Sequence, residues 1–179
     1  MRWTKRALLG AGAAVCAACS SIEVPHDAPA QLSTYTPSIQ ADLATARKAT
    51  AAFRSLDAAV RAGYPDAVAQ CISHSEHGAM GYHHMNRTLM DARIELDRPE
   101  ILLYSRTAEG EYVLNGVEYI VPYSAHPREF APPTVMDQPL KRSDQLGIWY
   151  LHVWLWTENP AGLFNDWNPA VECRGQSRP

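Results

Sequence analysis

The segment Trp149-Tyr150-Leu151-His152-Val153-Trp154-Leu155-Trp156 constrains the fold more than any other part of the chain. It holds three Trp, one Tyr, aliphatic residues and one ionisable side chain, His152. Its aromatic and β-branched content describes a buried strand, and it is too short to span a membrane. Side chains alternate along a strand, so Leu151, Val153 and Leu155 share one face and His152, Trp154 and Trp156 the other. An apolar surrounding opposes charge on His152 unless a carboxylate lies beside it. Such an imidazole is either a core group bonded to a carbonyl or carboxylate, or a functional group that binds metal or accepts a proton.

The rest of the chain supplies a setting for that strand. Residues 1–18 combine Arg2, Lys5 and Arg6 with a short apolar run, the pattern of a signal peptide. Cys16-Ala17-Ala18-Cys19-Ser20 resembles a bacterial lipoprotein cleavage site. That resemblance implies a lipid on Cys19, membrane attachment, and an outer-membrane or periplasm-facing location. Cleavage after a small residue, giving a soluble secreted protein, is the alternative. Removing residues 1–18 takes three of the 16 basic residues, leaving 13 against 19 acidic ones and a formal charge of −6. That balance argues against nucleic acid, which needs a basic footprint. Residues 19–37, with Pro25, Pro29 and Pro37, read as a flexible tether. Residues 38–179 read as a single globular domain.

Within that domain, Ile39, Leu43, Ala46, Thr50, Phe53, Leu56 and Val60 step by three and four, one face of an amphipathic helix. Ser38 can cap its start, and Gly63 can end it. Cys71 and Cys173 remain as a pair once Cys16 and Cys19 are assigned to the leader and the lipid. In an oxidising compartment they form a disulfide; free thiols or thiolate ligands are the rival reading. Four of the seven His lie between His74 and His84. A strand beginning near Gly81 puts His83 and His84 on opposite faces, so only one of them points inward. The clustering favours a metal, without any spacing diagnostic of a particular zinc motif.

Strands at Ile101–Arg106 and 111–123, joined by Thr107-Ala108-Glu109-Gly110, form an antiparallel hairpin. Asn115-Gly116 is better read as a bulge inside the second strand than as its turn. Glu118 lies inside that strand. Whether Glu100 shares its face depends on the register, which loop length leaves open. Residues 122–139 hold five Pro and form an extended loop that can act as a lid, with His126 exposed on it. Asp166 and Asn168 follow in an aromatic-capped loop, where they bond backbone groups.

Together, Gly78-Ala79-Met80-Gly81-Tyr82-His83, Pro99-Glu100-Ile101-Leu102-Leu103-Tyr104, Gly116-Val117-Glu118-Tyr119, Leu151-His152-Val153-Trp154 and Asp166-Trp167-Asn168-Pro169 resemble a family of uncharacterised exported bacterial proteins. The resemblance spans about residues 63–173. It implies export and one domain, and no particular chemistry. In family-like sequences the positions of His83, Glu118 and His152 carry the same residue types, whereas His74, His77 and His84 look like additions in this chain.

These readings give an α+β fold: an N-terminal helix on a curved, mostly antiparallel sheet that approaches a partial barrel. The first functional expectation is a divalent metal site of His83, Glu118 and His152, suited to zinc, copper or iron, with Glu100 as the candidate base. The second is a binding module in which Trp154 and Trp156 enclose a small apolar molecule of unknown identity and His152 pairs with Glu118. The third is a structural envelope lipoprotein in which that pair is architecture. No nucleophile elbow or phosphate-binding Gly-rich loop is present.

Overall fold

The structure, a computed structural model, describes residues 29–65, 67 and 70–174. The leader and Cys19 lie outside the described residues. Among the described residues, two α-helices, α1 (Pro37–Thr50) and α2 (Leu56–Arg61), precede eight strands. The strands are β1 (Ile72–His74), β2 (Gly78–Met85), β3 (Ile101–Arg106), β4 (Tyr112–Pro122), β5 (Thr134–Val135), β6 (Gln138–Pro139), β7 (Lys141–Ser143) and β8 (Ile148–Val153). Six of them form one antiparallel sheet in the order β1-β2-β3-β4-β8-β7, curled into a half-barrel. β5 and β6 pair separately within the Pro-rich segment. The expected α+β architecture with a curved sheet is what the chain adopts.

The helical segment covers one face of the sheet. Ile39, Leu43 and Ala46 are buried in the shared core. Tyr104 donates through its hydroxyl to Phe53 O (2.6 Å), and Trp156 Nε1 donates to Thr50 Oγ1 (3.2 Å). The single helix expected to run to Gly63 is broken. Residues 51–54 tighten into a 3-10 turn, and Ser55 starts α2 by accepting from Ala58 N. This break leaves Val60 45% exposed, although it falls on the apolar stripe. The first cap is Thr36, whose hydroxyl accepts from Ile39 N, rather than Ser38. Residues 30–34 form a 3-10 turn with Leu32 buried, so the tether read over 19–37 does not extend through this stretch. Burial of Leu32 gives the chain a reason to dock there, worth roughly 1.5–3 kcal/mol for a side chain of that size.

The opposite face is covered by the chain after β8. Ala79 and Asn168 exchange both backbone hydrogen bonds at 3.1 Å. The Cys71–Cys173 disulfide fastens the end of this segment beside β1. It closes a separation of 102 residues. In the chain-entropy view a loop of that length stabilises the fold by about 4–5 kcal/mol. A disulfide also points to an oxidising compartment. Among the described residues, no helix is long and apolar enough to cross a membrane.

β8 ends at Val153, three residues before the end of the aromatic run. The backbone N–H of Trp154 turns to Leu163 O, and those of Trp156 and Thr157 turn to Asn115 O. These groups therefore leave the ladder with partners already in place. The carbonyl on which Trp156 and Thr157 converge, that of Asn115, belongs to the residue that disrupts β4.

Candidate metal centre

Three residues far apart in sequence reach one point because of strand register. In the β2–β3 pairing His83 lies opposite Leu103, and in the β3–β4 pairing Leu103 lies opposite Gly116 and Ile101 opposite Glu118. In the β4–β8 pairing Glu118 lies opposite His152. Directly paired residues share a face, so His83, Glu118 and His152 all project from the same side.

The bulge at Asn115 decides this outcome. Tyr104 pairs with Leu114 but Leu103 pairs with Gly116, so Asn115 is the extra residue on β4. On the hairpin side of it, Leu114 shares the face of Tyr104; beyond it, Gly116 and Glu118 share the face of Leu103. Without the extra residue Val117 would stand where Glu118 does. Gly116 is required beside it, because a Cβ there would lie 2.4 Å from Val153 O. The curl of the sheet completes the convergence. Side chains two strands apart stand roughly 10 Å apart on a flat sheet, yet His83 Nε2 lies 3.7 Å from Glu118 Oε2.

His152 Nε2 lies 3.4 Å from the other carboxylate oxygen, Glu118 Oε1. One ligand atom from each of the three residues falls within 4.8 Å of the others. His83, Glu118 and His152 are 6%, 5% and 1% exposed. Among the described residues, His83 Nδ1 and both ring nitrogens of His152 are buried without a partner at hydrogen-bond geometry. Buried nitrogens of this kind are costly unless something binds them.

The charges are arranged unequally. Burial lowers the His83 pKa to about 4, against the pull of Glu118, so this ring is neutral and able to ligate. Burial also opposes charge on His152, but Glu118 and Asp166 outweigh it and hold that ring protonated above the ordinary imidazole range. Burial would raise Glu118, and the two imidazoles more than offset it, keeping the carboxylate ionised. A cation arriving between these groups would displace the proton of His152 from an anionic site.

Asp166 is the site residue that sequence reasoning missed. It was expected to bond backbone; instead it faces the cluster from the segment after β8. Asp166 Oδ1 lies 3.7 Å from His152 Nδ1 and accepts from Lys141 Nζ at 2.6 Å. Oδ2 accepts from the Tyr150 hydroxyl at 3.2 Å. Burial pushes this carboxyl up, but His152 and Lys141 prevail and bring it down to about 2. The only sequence signal was the Asp166-Trp167-Asn168-Pro169 motif, which indicates a turn and says nothing of what the turn faces.

The remaining candidates lie elsewhere. Glu100 is not in the cluster: the bulge puts Glu118 opposite Ile101, so Glu100 projects from the other face, where it accepts from Ile120 N at 2.9 Å. It cannot serve as a base at this centre from there. Trp154 and Trp156 meet different partners among the described residues. Trp154 Nε1 donates to Asn165 O at 2.7 Å, whereas Trp156 lies under the Arg47 guanidinium at 4.0 Å on the helical side. Their separation follows from the end of β8 between His152 and Trp154.

The structure also corrects the reading that only one of His83 and His84 points inward. The sheet is covered on both sides, so both are buried, and His84 Nδ1 sits 2.6 Å from Pro65 O. His74 and His77 are exposed and stacked at 4.3 Å between ring centroids, outside the cluster. His126 is half-buried, with Nε2 2.8 Å from Ala131 O. Comparison of the chain with protein-family models, with curated proteins and with solved structures returns no match.

Proposed function

We propose that this protein binds one divalent transition metal through His83, Glu118 and His152. The observation that carries this reading is the meeting of three buried donor groups within 4.8 Å, on three different strands. Two imidazoles and a carboxylate form a donor set suited to zinc, copper or iron. Three protein ligands leave further positions for solvent or a small molecule, where a metal supplies Lewis acidity or activates water.

A metal-free reading has one observation in its favour. Protonated His152 lies between two carboxylates, Glu118 and Asp166, and Lys141 Nζ pairs with Asp166 at 2.6 Å, so two positive charges balance two negative ones. Elemental analysis of protein made without a His tag separates the two. The metal reading expects one equivalent after reconstitution in the folded wild type, and its loss in His152→Ala and in His83→Ala. Metal well below one equivalent, or binding indifferent to both substitutions, leaves only the ion-pair reading.

We also propose that the chain sits at the cell envelope, with residues 1–18 removed and Cys19 lipidated. It is supported by the leader pattern and by the disulfide. Cys19→Ser should then shift the protein from the membrane fraction to the soluble fraction; unchanged partitioning would discard the lipid.

A further inference from the structure

We infer that Asp166 is the positioning residue of this centre: it holds Nδ1–H of His152 toward itself, so that Nε2 is the nitrogen presented to the metal. This inference rests on the metal reading. Its basis is the way the two ring nitrogens of His152 are divided between two carboxylates. Nε2 faces Glu118 Oε1 at 3.4 Å, and Nδ1 faces Asp166 Oδ1 at 3.7 Å. A ligating imidazole needs an acceptor for its second nitrogen, and a carboxylate in that place fixes both tautomer and ring orientation. The 3.7 Å separation is longer than a formed hydrogen bond, about 2.9 Å, so the contact is poised rather than made.

Asp166 is itself held in place. Lys141 Nζ and the Tyr150 hydroxyl each donate to one of its oxygens, which leaves acceptor capacity for an imidazole N–H. Lys141 and Tyr150 are paired residues on β7 and β8, and Tyr150 shares the face of His152. The backbone bearing Asp166 is tied down on both sides. Lys141 Nζ also donates to Phe164 O at 2.7 Å, Trp154 Nε1 donates to Asn165 O, and Asn168 is bridged to Ala79. The irregular segment that carries this carboxylate is thus anchored on either side of it.

The test uses the mature chain with its disulfide intact. Zinc affinity is measured by competition with a chromophoric chelator for wild type, Asp166→Asn and Lys141→Met. Loss of an outer carboxylate partner weakens metal binding 10–100-fold, so Asp166→Asn should bind one zinc roughly that much more weakly. Lys141→Met, which leaves the carboxylate but frees it, should move the same way by less, and serves if Asp166→Asn does not fold. Long-range 15N–1H spectra of the zinc-loaded protein give a second readout. Wild type should show a downfield, slowly exchanging Nδ1–H on His152, and the variants an upfield, faster-exchanging one. Unchanged zinc affinity in both variants overturns the inference. Weaker affinity with an unaltered Nδ1–H signal also overturns it, since Asp166 would then be supporting the loop alone. Failure of wild type to bind zinc, copper or iron instead removes the metal reading itself.

Discussion

Replacing Glu100 with Gln should make the protein's stability less dependent on pH. Glu100 is 2% exposed, and burial raises its pKa to about 8, partly offset by the hydrogen bond from Ile120 N. The folded protein therefore holds a proton that the unfolded chain releases near pH 4.5. Where the folded state binds more protons than the unfolded state, stability falls as pH rises. The contribution is fully present below the unfolded pKa and is lost as pH climbs through about 8. A difference of that size corresponds to roughly 4–5 kcal/mol, taken as a ceiling, at 1.36 kcal/mol per pKa unit. Gln keeps the shape and the acceptor for Ile120 N–H but does not ionise. Urea denaturation of both proteins at intervals from pH 4.5 to 9 isolates this group, because the other titrations cancel in the difference. The Gln variant should gain on wild type steadily across that window, by a few kcal/mol in all. Parallel curves would show that Glu100 ionises in the fold as easily as in water, and the argument from its burial would fail.

Other perturbations follow from the same geometry. Gly116→Ala places a methyl group 2.4 Å from Val153 O, between β4 and the end of β8. Overpacking of this kind costs about 1–3 kcal/mol, so chemical denaturation should show a loss in that range, and zinc affinity should fall as Glu118 shifts; an unaltered midpoint would mean the strands part freely there. Replacing Cys71 and Cys173 together with Ala should lower stability by about 2–5 kcal/mol, read by urea unfolding under non-reducing conditions. A loss well under 1 kcal/mol would show that the segment after β8 is held by its other contacts.

Much of this structure is written locally. Ile101–Arg106 and the strand after it show β-branched and aromatic runs around a Gly-containing turn, and they form the hairpin expected. Reading Asn115-Gly116 as a bulge proved decisive, since that residue sets which face Glu118 takes. The composition of the aromatic strand and the cysteine count pointed to β8 and to the disulfide for similar reasons: both depend on residue type more than on distant partners. What escaped was non-local. Composition does not reveal that Trp154 N–H finds Leu163 O and leaves the ladder. Nor does it reveal that Ser55 begins a second helix inside a continuous apolar stripe. Asp166 was hidden because its role depends on which strand its loop crosses. Nothing in sequence spacing links Lys141 and Tyr150 to Asp166, although both donate to it.

The location of a metal in the protein tests the central claim most directly. Crystals of the zinc-loaded mature chain, measured at the zinc absorption edge, should give one anomalous peak about 2 Å from nitrogens of His83 and His152 and an oxygen of Glu118. No peak between those three side chains, or a peak only at exposed His74 and His77, would contradict the account and leave the cluster as a buried ion pair.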